Sequence, residues 1–305
     1  MTTTGMVTDL VRQIAGEHAE IVGLMGEGID PHLYRPTTQD SARLMQADFV
    51  LYSGLKLEGQ MGAALELARK QGRQIVAVTD GLPPDEIRYP SGAVGHPDPH
   101  VWHDPVLWGE CARRVAMALG EYDPANATDY SRRAAEVHAE CTRFHEHAAQ
   151  VLGAIPEQQR HLVTAHDAFE YFARRYGLTV HSVQGITTES EPGLQDTNAL
   201  VDFLVDQKIP ALFVETTVNP DHLKAVIEGA AARDWEVSIG GTLYSDAMGA
   251  PGTREGTYLG MLDHNVVTIA RELGSTWEGP LSFFDVAEDS KMETENHTTA
   301  APKLE

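Results

Sequence analysis

Cysteine, basic residues and long apolar runs are scarce in this chain of 305 residues. Its two cysteines, Cys111 and Cys141, are too few for a disulfide framework and lack the CxxC spacing of a zinc ribbon or redox motif. No apolar run approaches the roughly 20 residues that a membrane-spanning helix needs. The net charge of −22 has the wrong sign for a surface that neutralises nucleic-acid phosphates. The sequence therefore argues against a nucleic-acid partner but leaves the pairing of the two thiols open.

The chain has enough apolar residues, 42% of the total, for two lobes of ordinary size, each with its own core. Its start, "MTTTGMVTDLVRQIAG", lacks the basic and apolar regions of a signal peptide. Its end, "SKMETENHTTAAPKLE", is polar, and we expect residues 288–305 to be a disordered tail. These features suggest a trimmed chain, so the absence of a signal peptide says little about location.

Apolar patterns alternate between helical and strand-like spacing along most of the chain. In the first half, "AEIVGLMG", "DFVLYSG" and "RQIVAVTDG" are predicted strands separated by helices, and the second half repeats this alternation from "RHLVTAHDA" onward. Such alternation is typical of α/β folds with parallel sheets. We therefore predict an α/β protein with two open α/β lobes and mainly parallel sheets.

One long segment between the two halves, "PANATDYSRRAAEVHAECTRFHEHAAQVL", contains no internal glycine or proline and predicts a single helix. A helix of this length runs roughly 40 Å, which suits a rigid rod between two lobes, although a long surface helix of a single domain would look the same. The predicted division is an N-terminal lobe at 1–123, the connecting helix at 124–155 and a C-terminal lobe at 156–287.

Four side chains that suit a metal ion follow predicted strands or lie in the long loop between the first strands and the helix. Ligands of open α/β sheets bind outside the carboxyl ends of the strands, and His32, His166 and Asp246 lie directly after such strands. His100 lies in the loop "GHPDPHVWHDP", where His96 and His103 are close alternatives. Two of the four belong to each predicted lobe. Three imidazoles and one carboxylate suit zinc, with manganese or iron possible if the carboxylate binds through both oxygens.

A second candidate metal site lies on the long helix itself. His138, Cys141 and His145 are spaced i, i+3 and i+7 and would share one helix face. A single face supplies no fourth ligand and no shielding from water, so the competing interpretation is a solvated helix face that carries histidines.

The motifs resemble the solute-binding proteins of ABC transporters for zinc, manganese and related metals. Four segments carry the resemblance, in the order that the family has them: "GIDPHLYRPTTQD", "DPHVWHDP", "TAHDAFEYFARRYGL" and "LYSDAMGAPGTREGTYLGMLDHNV". The resemblance implies that His32, His100, His166 and Asp246 hold a divalent metal between two lobes joined by one rigid helix. It also places "TTESEPG", around Glu191, near the site.

The resemblance further implies capture of zinc or manganese outside the cytoplasm and delivery to the permease of an ABC transporter for import. We expect a periplasmic or extracytoplasmic monomer, lipid-anchored or free. Most of the family's opening strand is missing before "TTGMVTDLV", and the loop from Gly81 to Pro99 lacks the His- and Asp-rich insertion of many zinc importers. A histidine at position 166, instead of the glutamate of many manganese-specific members, favours zinc on softness grounds but leaves the metal open.

Two other classes of protein share some of these features. A zinc hydrolase would use the same cluster with Glu191 as general base, but catalytic zinc usually keeps three protein ligands and an open position for water. Four protein ligands close that position, which favours a non-enzymatic carrier. A surface adhesin with incidental metal binding shares the fold in related members and has no separate signature here.

Overall fold

The computed structural model describes residues 1–90 and 95–286, and within them the predicted alternation of helices and parallel strands is present. Its N-terminal half consists of these elements: α1 (Gly5–Ala15), α2 (Thr38–Gln46), β1 (Phe49–Tyr52), α3 (Gly62–Lys70), β2 (Gln74–Ala77) and α4 (Pro105–Tyr122). Strands β1 and β2 pair in parallel. The predicted tail at 288–305 lies outside the described residues, as does part of the loop before His96.

The predicted strand "AEIVGLMG" is wrong, because this segment forms only an isolated bridge. Gly23 bridges Thr2 in parallel, and Thr2 also bridges Leu51 of β1. Thr2 donates its backbone N–H to the Val22 carbonyl at 2.9 Å, and its own carbonyl accepts from Leu24 at 3.0 Å. Helix α1 begins at Gly5, so few extended residues are available beside this segment and no longer ladder can form.

The C-terminal half continues the same alternation after one long helix. Its elements are α5 (Ala127–Gly153), β3 (His161–His166), α6 (Glu170–Tyr176), β4 (Thr179–Gln184), α7 (Leu194–Asp206), β5 (Ala211–Glu215), α8 (Asp221–Ala231), β6 (Ser238–Leu243) and α9 (Tyr258–Glu272). Strand β3 pairs in parallel with β4, and β5 pairs in parallel with β6. Because β3 and β5 are also neighbours, the carboxyl ends of the strands gather at one edge. The predicted fold class is confirmed.

The predicted long helix exists as α5, which has 27 residues and therefore a length of about 40 Å. It packs along α4, a helix that the sequence analysis missed. Asp104 caps α4 by accepting hydrogen bonds from the backbone of Val106 and Leu107, and a proline fills its first position. A Cβ at Gly109 would lie 2.7 Å from the His138 ring, so glycine permits the close approach of the two helices. Helix α5 also packs on α1 and α9, so it contacts both halves.

The largest buried cluster joins the two halves instead of belonging to one of them. It includes apolar residues of α1, α4, α5, α6 and α9, with Trp102 and Trp108 fully buried. Smaller clusters cover the N-terminal strands with α2 and α3, and the C-terminal sheet with α7 and α8. Cys111 and Cys141 are unpaired thiols in the large cluster, and burial raises the pKa of Cys141 to about 12. Among the described helices, none has the length and apolar character that crossing a bilayer requires.

Candidate metal centre

The four predicted ligand residues lie together between the two halves. One donor atom from each of His32, His100, His166 and Asp246 lies within 4.8 Å of the others, and all four residues are buried. Within the described residues, this is the one group of three or more potential ligand side chains found close enough to hold a metal ion. The structure therefore brings together the residues that the sequence analysis proposed.

His32 lies in the turn after the extended segment that pairs with Thr2. Gly28 has φ of 67°, a left-handed conformation that glycine adopts readily, and Pro31 fixes the backbone just before the histidine. The backbone N–H of His32 donates to Asp30 Oδ1 at 2.8 Å. These local constraints direct the imidazole inward, where it retains 4% of its exposure.

His100 is held by a carboxylate two residues earlier in the chain. Asp98 Oδ1 accepts from the backbone N–H of His100 at 3.0 Å and lies 2.8 Å from its Nδ1. A carboxylate at Nδ1 keeps the proton on that nitrogen and leaves the Nε2 lone pair available to a metal. His100 is completely buried in this orientation.

His166 ends strand β3, and Asp246 follows strand β6 on the same edge of the fold. Glu215, at the end of β5, accepts from the His166 backbone N–H at 2.8 Å and lies 2.5 Å from its Nδ1. The sequence analysis missed both Glu215 and Asp98. Glu215 obeys the strand-end rule used for the other residues, and that rule could have found it.

Distances within the cluster match the spacing of atoms around one ion. His32 Nε2 lies 3.3 Å from His100 Nε2, and Asp246 Oδ1 lies 3.4 Å from the latter atom. Asp246 Oδ2 lies 3.2 Å from His166 Nε2 and 3.8 Å from His32 Nε2. Bonds of about 2.0–2.1 Å in a tetrahedron give donor separations of roughly 3.4 Å.

Three buried polar atoms at the centre have no hydrogen-bond partner among the described residues. They are His166 Nε2 and both carboxylate oxygens of Asp246. Such atoms are costly to bury without partners, and here they face a common point. Three nitrogen donors and a carboxylate match the preferences of borderline divalent metals, so the residues fit a metal ion.

The electrostatics of the cluster favour a cation at its centre. Burial lowers the pKa of His32 to about 3 against the opposing charge of Asp246, so this imidazole is neutral near pH 7. Burial alone would raise the pKa of Asp246, but the neighbouring His166 outweighs burial and lowers this pKa far below its ordinary value, so Asp246 is ionised. Burial disfavours charge on His166, but Glu215 and Asp246 outweigh it and raise its pKa well above 6.5. Without a metal, a proton on His166 thus supplies the positive charge.

A cavity of about 510 Å³ opens beside the cluster and reaches His32. Residues of both halves line it, among them His96, Asp167 and Glu189. The structure also shows where the two alternatives to His100 in its loop lie. His96 faces this cavity, whereas His103 is fully buried against Phe169, with ring centroids 4.5 Å apart.

The other predicted site residues do not join the centre. Cys141 is buried in the core, so the His138, Cys141 and His145 face forms no metal-ligand group among the described residues. Glu191, the proposed general base of a hydrolase, has a side chain that is 83% exposed and lies 2.8 Å from His222 Nε2. An exposed side chain paired with His222 is not positioned to act as a general base at the buried cluster, so the hydrolase alternative is not supported.

Two α/β halves joined by a long helix, with three histidines and an aspartate buried between them, define a metal-binding protein of the two-lobed solute-binding class. Residues 1–272 match the model of the ZnuA family, described as "zinc-uptake complex component A periplasmic", and the chain belongs to this family. The predicted family is confirmed. Several relatives are named as substrate-binding lipoproteins of metal ABC transporters.

Relatives whose names or structures identify a bound metal align with most of the chain. It is 41% identical to the manganese-binding lipoprotein MntA of Bacillus subtilis (strain 168), over 89% of this chain and 88% of that protein. The solved periplasmic zinc-binding protein TroA from Treponema pallidum has 38% identity and a TM-score of 0.86, covering 89% of this chain and 97% of its own. Fe(III)-bound YtgA from Chlamydia trachomatis has 28% identity and a TM-score of 0.79, covering 90% and 97%.

Proposed function

We propose that this protein captures a divalent zinc or manganese ion outside the cytoplasm and delivers it to the permease of an ABC transporter for import. The observation that carries the proposal is the buried cluster, whose four donors surround one point and whose central atoms have no other partner. The ion is the cargo of the protein and no reaction is performed on it. Four protein donors leave little room for the activated water of a catalytic zinc site, which supports a non-enzymatic carrier.

In this proposal, His32, His100 and His166 bind the metal through Nε2, and Asp246 binds through one or both oxygens. Asp98 and Glu215 hold protons on the far nitrogens of two imidazoles and offset the charge of the ion. Binding replaces the proton on His166, so capture is coupled to proton release.

The donor set is compatible with both metals. Three nitrogen donors favour zinc, while the two oxygens of Asp246 both face imidazole nitrogens and could supply the extra ligand that manganese prefers. The names of the relatives point both ways, because MntA is manganese-binding and TroA is zinc-binding. Competition between the two ions, measured on protein purified without added metal, decides between them.

The names of the relatives also support the location and partner. MntA is named as a lipoprotein, and PsaA of Streptococcus pneumoniae is named as a substrate-binding lipoprotein of a manganese ABC transporter. We propose an extracytoplasmic monomer with lobes at residues 1–123 and 156–287 around the helix at 124–155. Since that helix packs on both halves, release requires a small tilt instead of a wide hinge motion.

The test is a double variant, His166→Ala with Asp246→Ala, titrated with zinc and with manganese by calorimetry. We expect affinity for both ions to fall more than about 100-fold, because half of the donor set is lost. His264→Ala is the matched control, since His264 is a partly buried histidine outside the cluster that bonds to the Thr242 carbonyl. Wild-type affinity in the double variant would contradict the proposal.

A further inference from the structure

Two histidines lie side by side at the opposite end of strand β3 from the metal centre. His161 is opposite Thr179 of β4, and His181 is opposite Val163, so the two are diagonal neighbours on one face of the sheet. His161 Nδ1 and His181 Nε2 are 3.3 Å apart. His161 and His166 lie five residue steps apart along β3, a distance of about 16 Å, so an ion here would be separate from one at the centre.

The nitrogen separation equals that between His32 and His100 at the metal centre, which is also 3.3 Å. It is the distance that two donors adopt on one ion with bonds of about 2.0–2.1 Å. The competing interpretation is a simple N–H···N hydrogen bond between two neutral imidazoles. The two interpretations predict different metal stoichiometries, as described below.

Phe203 of α7 holds both rings in place. The His181 ring stacks on it with centroids 3.7 Å apart, and the His161 ring meets it edge-on at 5.5 Å. Rings that are already packed lose little conformational freedom when they bind a ligand. Burial and the neighbouring His161 lower the pKa of His181 to about 4, so its lone pair is available at neutral pH.

The pair remains accessible to a hydrated ion. Both histidines are only partly buried, and His161 lines a surface cavity of about 550 Å³ together with Glu157, Arg160 and Thr179. Among the described residues, no third ligand side chain joins the pair in a group that could hold an ion. Water would therefore complete the coordination, which makes the site weaker than the four-ligand centre.

We infer that His161 and His181 form a second, lower-affinity metal site that accepts zinc, copper(II) or nickel(II) and discriminates against manganese(II). Two imidazoles without a carboxylate suit the metals that prefer nitrogen, whereas manganese(II) prefers oxygen-rich sites and stands lowest in affinity for nitrogen donors. The site lies outside the proposed cargo centre and does not depend on it. With both sites, the chain binds more zinc ions than manganese ions.

The experiment is equilibrium dialysis of the full chain in excess zinc or manganese, with the bound metal counted by elemental analysis. We expect about two zinc ions per chain but about one manganese ion. His161→Ala with His181→Ala is expected to lower zinc to about one ion and leave manganese unchanged. In the His166→Ala, Asp246→Ala background, His161 and His181 are expected still to bind about one zinc ion. Loss of zinc from this site can therefore be distinguished from loss of zinc from the proposed cargo centre.

Two controls make the result specific. His264→Ala removes a partly buried histidine outside both sites and leaves the extra zinc ion in place. Single variants, His161→Gln and His181→Gln, each keep one imidazole and are expected to weaken the second site at least about tenfold through loss of chelation. Circular dichroism and thermal unfolding check that each variant is folded. Equal zinc and manganese counts in the wild type, or an extra zinc ion that survives loss of both histidines, would overturn the inference.

Discussion

The His32 segment and the His100 loop both come from the N-terminal half, yet they are attached to the rest of the molecule differently. Around His100, Tyr171 Oη donates to the Asp98 carbonyl at 3.1 Å, and Trp102 Nε1 donates to the Ser245 carbonyl at 2.8 Å. Farther along the loop, Arg175 Nη2 lies 2.7 Å from Asp104 Oδ2. These bonds tie the His100 loop to the C-terminal half.

The His32 segment is joined to the C-terminal half through Asp30. Thr188 Oγ1 donates to Asp30 Oδ2 at 2.5 Å, and the other oxygen of Asp30 accepts from the His32 backbone. His32 is also the one ligand candidate that lines the neighbouring cavity.

By their attachments, the four proposed ligand residues divide into a group of three and a single residue, and not into two pairs. His100, His166 and Asp246 are all anchored to the C-terminal half, so a small tilt of the N-terminal half would move His32 away from the other three. One lost ligand is enough to open a four-coordinate site to water or to a receiving protein. Substitutions at the bonds of each segment test this difference.

Asp104→Ala breaks the anchor of the His100 loop. Asp104 is buried, caps α4 and pairs with Arg175, so its loss leaves a helix end and a partly buried guanidinium without their partner. We expect the free energy of unfolding of the metal-free protein to fall by about 3 kcal/mol, measured by urea denaturation. Arg113→Ala, which removes an exposed ion pair with Glu110, is the control and should cost less than about 0.5 kcal/mol. Equal losses in both variants would show that Asp104 is no anchor.

Glu215→Gln tests whether Glu215 supports metal binding by His166. The amide cannot hold the proton of His166 Nδ1 as a carboxylate does, so the imidazole becomes a poorer and less well oriented ligand. We expect zinc affinity to fall about 10- to 100-fold by calorimetry. Glu191→Gln changes an exposed glutamate and should leave affinity unchanged. Unchanged zinc affinity in Glu215→Gln would show that Glu215 does not contribute to metal binding.

Thr188→Val releases the His32 segment from the C-terminal half. The variant loses one hydrogen bond to a carboxylate, which is worth about 1.5 kcal/mol and corresponds to roughly tenfold faster metal dissociation. Stopped-flow chelator competition measures the rate. Thr197→Val, at a threonine whose side chain bonds the Gly193 carbonyl and not Asp30, is the control and should leave the rate unchanged. If Thr188→Val also leaves it unchanged, the Asp30 bond does not hold His32 in place.

Gln60→Ala removes a second contact between the halves at the rim of the same cavity. Gln60 Nε2 donates to Glu189 Oε1 at 3.0 Å, but the bond is exposed and does not touch the His32 turn. We expect dissociation to change less than about twofold, since exposed polar pairs contribute little. If Gln60→Ala accelerates metal dissociation as much as Thr188→Val does, the contacts along the whole rim hold His32 in place, and not the Asp30 bond alone.

Local patterns accounted for much of this structure before the fold was known. Apolar periodicity predicted most helices and strands, and the strand-end rule together with the resemblance predicted the four residues of the cluster. Helix α4 was missed, although its Asp-Pro start at Asp104 and Pro105 is a local signal. The predicted strand before His32 was wrong because a strand needs a neighbour of matching length, and periodicity says nothing about the neighbour.

The α/β alternation, the long helix and the residue types that suit a metal can be predicted from the sequence, because they depend on spacing along the chain. The folded structure was needed to show that the four donors meet, that Asp98 and Glu215 contact the Nδ1 atoms of His100 and His166, and that the His100 loop is bonded to the C-terminal half. It also placed His161 beside His181. Each of these depends on which distant segments pack together, and that is set by the shared core around α5 and by strand pairing, which no local pattern specifies.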